Sequence, residues 1–123
     1  MLDAGAFVAV DRADRAMAAR LRVAQRSGLE LRSNGAVVAQ VWHDPAGRQA
    51  ELARLLRSVD VKPVDRRLGQ EAGVLSGRAG AGDAVDATVV AIANPGDRIM
   101  TGDPDDIRAL VAASGRRVLV VRC

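Results

Sequence analysis

The side chains with the most chemical potential in this 123-residue chain are its aspartates, twelve against only three glutamates. They are unevenly placed. Asp3 stands where a first strand would end, Asp83 and Asp86 open an apolar run at Ala84–Ala93, and Asp103, Asp105 and Asp106 follow Arg98–Thr101 directly. In open α/β sheets, ligands bind at the carboxyl ends of strands, so aspartates from three βα junctions can meet in one pocket. Carboxylates held that close repel one another, and without a cation some must take up protons. A hard divalent ion, Mg2+ or Mn2+, resolves this, because it prefers oxygen ligands and keeps several waters. Each acid also has a local reading. Asp83 followed by Asp86 matches a capping box, and Asp103 before Pro104 matches an N-cap, with Asp105 and Asp106 favouring the helix dipole. Spacing alone leaves both readings open.

To gather these acids the chain must supply short parallel strands with helices between them, and its apolar pattern does alternate in that way. Met1–Asp3 reads as the end of a strand and Ala4–Val10 as a helix. Ala16–Arg26 is an Ala/Arg-rich helix stopped by Ser27-Gly28, and Leu29–Arg32 a short strand. Ala36–Trp42 fits strand or helix. Within Gly47–Val59, residues Leu52, Leu55, Leu56 and Val59 repeat as one helix face. A strand is expected at Asp60–Val64 and a polar helix at Asp65–Arg78, interrupted by Gly69, Gly73 and Gly77. A helix at Ala84–Ala93, a strand at Arg98–Thr101, a helix at Pro104–Ser114 and a strand at Arg117–Val121 complete the chain. The pattern predicts a single α/β domain over residues 1–123, a mainly parallel sheet flanked by helices, with no repeat or linker.

Composition narrows the functional classes. Hydrophobic residues make up 49% and charged residues 27%, the balance of a globular chain rather than a disordered or fibrous one. No apolar stretch approaches the roughly 20 residues needed to span a bilayer, and no basic segment precedes the first apolar residues, so a cytoplasmic, non-membrane protein is expected. Cys123 is the only cysteine, which excludes an internal disulfide. Of the 18 basic residues, 17 are arginines, for a net charge of +3. Guanidinium groups suit phosphate contacts, although Ala, Arg, Gly and Val usage at this level also matches a GC-rich coding bias. With only Phe7 and Trp42 as aromatics, a base-stacking RNA module is disfavoured.

Four segments in order, Leu2-Asp3-Ala4-Gly5-Ala6, Ala39-Gln40-Val41-Trp42, Val85-Asp86-Ala87 and Thr101-Gly102-Asp103-Pro104, resemble the PIN domain, and most closely the VapC-type toxins of bacterial toxin–antitoxin pairs. The resemblance covers essentially the whole chain and implies a PIN-like three-layer sandwich and a metal-dependent endoribonuclease. Carried over by motif, Asp3, Asp86 and Asp103 are the metal-binding acids, supported by Asp83 and Asp106, with Thr101 as a nearby hydroxyl donor. The implied cofactor is Mg2+ or Mn2+, which would lower the pKa of a bound water and neutralise charge building on an RNA phosphate. The implied partners are a cognate antitoxin protein, an RNA substrate and a second copy of the chain.

One position departs from the family. Gln40 stands where a glutamate is usual, which removes a negative charge from a site that would hold a cation and leaves a water without that base. Asp44, four residues on, would share a helix face with Gln40 and is a possible substitute. The departure leaves open a catalytically weakened PIN-fold module that mainly binds its antitoxin or RNA. An aspartate-based phosphotransfer domain also clusters acids at strand ends, but a receiver domain needs a late lysine, and the only lysine is Lys62. His43 reads as a surface or packing residue, Trp42 as core or interface, and Gly80-Ala81-Gly82 is too short for a phosphate loop. Arg48, Arg54 and Arg57 lie opposite the leucine stripe, on what is ordinarily a solvated face and could also be a path for RNA.

Overall fold

The computed structural model describes residues 1–43 and 46–123, so Asp44 lies outside the described residues. Within them, seven helices and short parallel strands form a mixed α/β structure. In chain order they are α1 (Ala4–Asp11), α2 (Arg15–Arg26), β1 (Arg32–Asn34), α3 (Gly35–Val41), α4 (Ala50–Leu56), β2 (Asp60–Lys62), α5 (Arg66–Ala79), α6 (Ala84–Ile92), β3 (Arg98–Thr101), α7 (Pro104–Ser114) and β4 (Leu119–Arg122).

Each strand pair is parallel: β1 with β2, and β3 with β4. The extended residues Met1–Asp3 lie between the pairs. Leu2 N donates to Arg32 O at 2.8 Å on one side, and on the other Asp3 N donates to Met100 O at 3.0 Å and Met100 N to Met1 O at 2.9 Å. Leu2 and Met100 form a parallel bridge. These bonds give the strand order β2, β1, residues 1–3, β3, β4, and they place Asp3 and Thr101 beside each other at the carboxyl ends of adjacent segments. An Arg32–Asp97 ion pair at 2.5 Å ties β1 to the turn before β3.

Helix formation follows the local chemistry. Asp14 caps α2 by accepting from Met17 N, and Asp65 caps α5 by accepting from Leu68 N. Gly80 and Gly115 end α5 and α7 in the left-handed conformation. The helix α1 packs on α2, α3 and α4, while α5, α6 and α7 pack on one another. Phe7, Leu2, Leu52, Ile99, Ile107, Leu110, Val37, Val89 and Val90 are fully buried and form the middle of the core. The wholly apolar run Val89–Ala91 of α6 is explained by that position, since it is buried all round.

Several expectations need correction. The strand placed at Leu29–Arg32 forms at Arg32–Asn34 instead: Leu29 is 52% exposed, whereas the polar Ser33 and Asn34 are buried. The segment Ala36–Trp42, left open between strand and helix, falls in the helix Gly35–Val41, with Trp42 just beyond its end, 38% exposed and outside the core. The helix expected over Gly47–Val59 spans only Ala50–Leu56. Gly69, Gly73 and Gly77 do not interrupt α5; a Cβ at any of them meets nothing, so they lie on an open face while Leu68, Ala72 and Leu75 are buried. No helix among the described residues is long and apolar enough to cross a membrane.

Candidate active site

Asp3 ends the central extended segment and precedes α1, yet its side chain makes no capping bond to that helix. It is 4% exposed. The hydroxyl of Thr101, at the end of β3 and fully buried, donates to Asp3 Oδ2 at 2.7 Å and accepts from Asp103 N at 3.0 Å. Thr101 therefore orients both acids, one through its carboxylate and the other through its backbone. Asp3 Oδ1 is buried and has no hydrogen-bond partner among the described residues. A buried carboxylate oxygen left unpaired is costly and marks a place where something else is needed to satisfy it.

Asp103 stands before Pro104 at the start of α7 and, contrary to the capping reading, its side chain accepts no bond from the helix backbone. Asp83 and Asp86 do form a capping box: Asp86 N donates to Asp83 Oδ1 at 2.8 Å, and Asp83 N to Asp86 Oδ2 at 3.3 Å. The local reading thus holds for that pair, but it occupies one oxygen of each carboxylate. Partial burial and the charges of Asp3, Asp83 and Asp103 push the Asp86 carboxyl up to about 6. The neighbouring Asp103 carboxylate likewise raises the partly exposed Asp106. The five acids Asp3, Asp83, Asp86, Asp103 and Asp106 consequently share one electrostatic field.

Two close approaches allow this convergence. A Cβ on Gly5 would lie 2.5 Å from Gly102 N and 3.0 Å from Cys123 Sγ, so only glycine lets the start of α1 abut the turn carrying Asp103. Gly82 has φ +74 and would place a Cβ 2.7 Å from Leu110 Cδ1, which brings the start of α6 onto α7.

The Gln40 side chain is hydrogen-bonded to none of these acids. It lies exposed on α3 and makes no side-chain hydrogen bond among the described residues. The residue of this region that does reach the site's framework is Asn34. Fully buried, its Oδ1 accepts from Ala36 N and Val37 N, and its Nδ2 donates to Thr88 Oγ1 at 3.0 Å, two residues beyond Asp86 on α6. Sequence reasoning missed it because Ser33-Asn34-Gly35 looks like a turn. The signal was there, an Asn immediately before an apolar helical run.

The donors are all oxygen, which suits Mg2+ or Mn2+ rather than a soft metal. The unpaired Asp3 oxygen and the protonation-prone Asp86 both fit a cation. As the side chains stand, however, no three acidic, histidine or cysteine residues among the described residues are gathered tightly enough to ligate one ion. Compared with family models, curated proteins and solved structures, the chain matches none.

Proposed function

We propose that this chain is a metal-dependent endoribonuclease of PIN type, similar to the VapC toxins, with Asp3, Asp86 and Asp103 as the acids that hold Mg2+ or Mn2+. The observation that carries the reading is the buried Asp3 oxygen with no partner, beside a hydroxyl that fixes the other oxygen. When bound, the ion would lower the pKa of an attacking water and offset charge on the RNA phosphate. The chain's own part is positioning and charge. Thr101 holds the Asp3 carboxylate in one orientation, leaving Oδ1 as the free donor atom. Asp86, with its carboxyl near 6, can hold or release a proton close to neutral pH. Asp103 adds a carboxylate not spent on capping, and Asp83 and Asp106 keep the local field negative. A PIN-like three-layer sandwich, with the parallel segments between helical layers, belongs to the same reading. So do a cytoplasmic location, a homodimer, and an antitoxin whose cationic side chain neutralises the acids.

The exposed, neutral Gln40 favours a second reading, a catalytically weakened PIN-fold module that mainly binds its antitoxin or RNA. One experiment separates the two. Cleavage of a loop-containing RNA is followed with Mn2+ and with EDTA for the unaltered chain, Gln40→Glu, and Gln40→Glu with Asp86→Asn. Cleavage by the unaltered chain that EDTA abolishes supports the nuclease. Activity gained only on Gln40→Glu, and lost again with Asp86→Asn, supports the weakened module. Should none of the three cleave in Mn2+, the nuclease reading falls.

A further inference from the structure

The sequence of α2 carries four arginines and no acid. At about 100° per residue, Arg15, Arg22 and Arg26 fall within a roughly 40° arc of the helix, opposite the buried Met17 and Leu21. All three are exposed, and none makes an ion pair with a described residue, in contrast to Arg54, Arg67 and Arg108, which pair within their own helices. Ordinary solvated helix faces mix the two signs of charge. A row of unpaired guanidinium groups two turns and then one turn apart repels itself, and it is matched by a ligand of regularly spaced anions.

The row also leads to the acids. Arg20, Leu21 and Ala24 of α2 line a cavity of about 330 Å³ together with Met1, Leu2, Met100 and Val121, and with Arg32 and Asp97 toward the amino ends of the strands. Cys123, at the end of β4, sits against the Gly5–Gly102 contact beside Asp3 and within the fields of Asp14 and Arg20. The first turns of α2 therefore border the acid site. An acid pocket repels a polyanion, and a basic row on its flank supplies the attraction needed to bring one there.

We infer that the outer face of α2, through Arg15, Arg22 and Arg26, tracks the phosphate backbone of single-stranded RNA leading to the acid site. The choice of RNA rests on the nuclease reading; the basic row does not. Backbone tracking of this kind is independent of base identity and needs no stacking platform, consistent with a chain holding only two aromatic residues.

The test is fluorescence anisotropy of a 5′-fluorescein-labelled, unstructured 20-nucleotide RNA in EDTA, so that binding is read without cleavage, across a KCl series. The full chain is compared with Arg15→Gln/Arg22→Gln/Arg26→Gln and with Arg66→Gln/Arg78→Gln/Arg117→Gln. The second triple removes the same charge from exposed positions elsewhere, and circular dichroism checks that both variants are folded. Each phosphate contact on a single strand contributes roughly 0.7 to the slope of log K against log salt, so the α2 triple should flatten the slope by about 2 and weaken binding at least ten-fold at low salt. The control triple should keep the parent slope. Equal losses in both triples, an unchanged α2 triple, or no RNA binding by the unaltered chain would overturn the inference. So would polyglutamate bound as tightly as RNA with the same dependence on α2. Lost cleavage with intact, α2-dependent binding touches only the chemistry, and a missing α2 effect touches only this inference.

Discussion

Thr101 and Asp86 show two ways in which single residues answer crowded negative charge. The hydroxyl of Thr101 meets one Asp3 oxygen and leaves the other buried and unpaired. Asp86 answers the same crowding by titration: its carboxyl rises to about 6 from an ordinary 3.8, through desolvation and the charges of Asp3, Asp83 and Asp103. The folded state therefore binds a proton between those values that the unfolded chain has released. Stability from this group is fully present below about 3.8 and is lost as pH rises through about 6. Asp86→Asn keeps an acceptor for Asp83 N but removes the charge, so it should melt like the parent at pH 4. At pH 7.5 it should be more stable by about 1 kcal/mol, allowing for screening of a half-exposed group, which is roughly 3–5 °C in Tm. Thermal melts of both proteins across pH check this, and a constant Tm difference would refute it. Added Mn2+ should reverse the order at pH 7.5 by raising the parent's Tm selectively, because a ligand of the folded state stabilises it.

At the scale of elements, the helices and strands with regular apolar spacing were legible in the sequence, and those that carry the site's framework were less so. α7 and β3 form within the expected bounds because Asp103-Pro104 and Gly115 punctuate one and turns flank the other. β1 was misplaced because its buried residues, Ser33 and Asn34, are polar, and hydropathy alone assigns polar residues to the surface. Their burial is explained by bonds that no periodicity shows: Ser33 Oγ donates to Leu2 O at 2.8 Å, and Asn34 joins α3 to Thr88 of α6. Asp3 and Asp103 do stand at strand ends as expected, but Asp83 and Asp86 open α6, which follows α5 and no strand, and the Gly5–Gly102 approach is a contact between residues 97 positions apart. Asn34→Ala removes a helix cap and leaves Thr88 without its donor in the core. It should cost about 2 kcal/mol, measured as a lower urea midpoint with an unchanged m-value. A cost below about 0.5 kcal/mol would mean that α3 is held by packing alone.

On the scale of the whole molecule, a three-residue segment joins the two strand pairs. Leu2 is 1% exposed, its N–H bonds β1, its C=O accepts from Ser33, and it bridges Met100 of β3. If this segment couples the halves, β1–β2 and β3–β4 unfold as one cooperative unit, and damage between them is felt equally on both sides. Leu2→Ala leaves a cavity at that junction and should cost about 3 kcal/mol, within the range for buried leucines truncated to alanine. Native-state hydrogen exchange resolves where the loss is felt, because amides that open only by global unfolding all report the same free energy. The bonded amides of Asp60 in β2, and of Leu119 and Cys123 at the two ends of β4, should lose protection together in Leu2→Ala, each by roughly a hundred-fold for a 3 kcal/mol change. Selective loss in β2, with β4 unchanged, would show two independently stable halves. Asp3 would then be carried by the β3–β4 half alone, through its bonds to Met100 and Thr101. In the coupled case, the geometry of Asp3 depends on the whole strand array, and Leu2→Ala should weaken Mn2+ binding along with the fold.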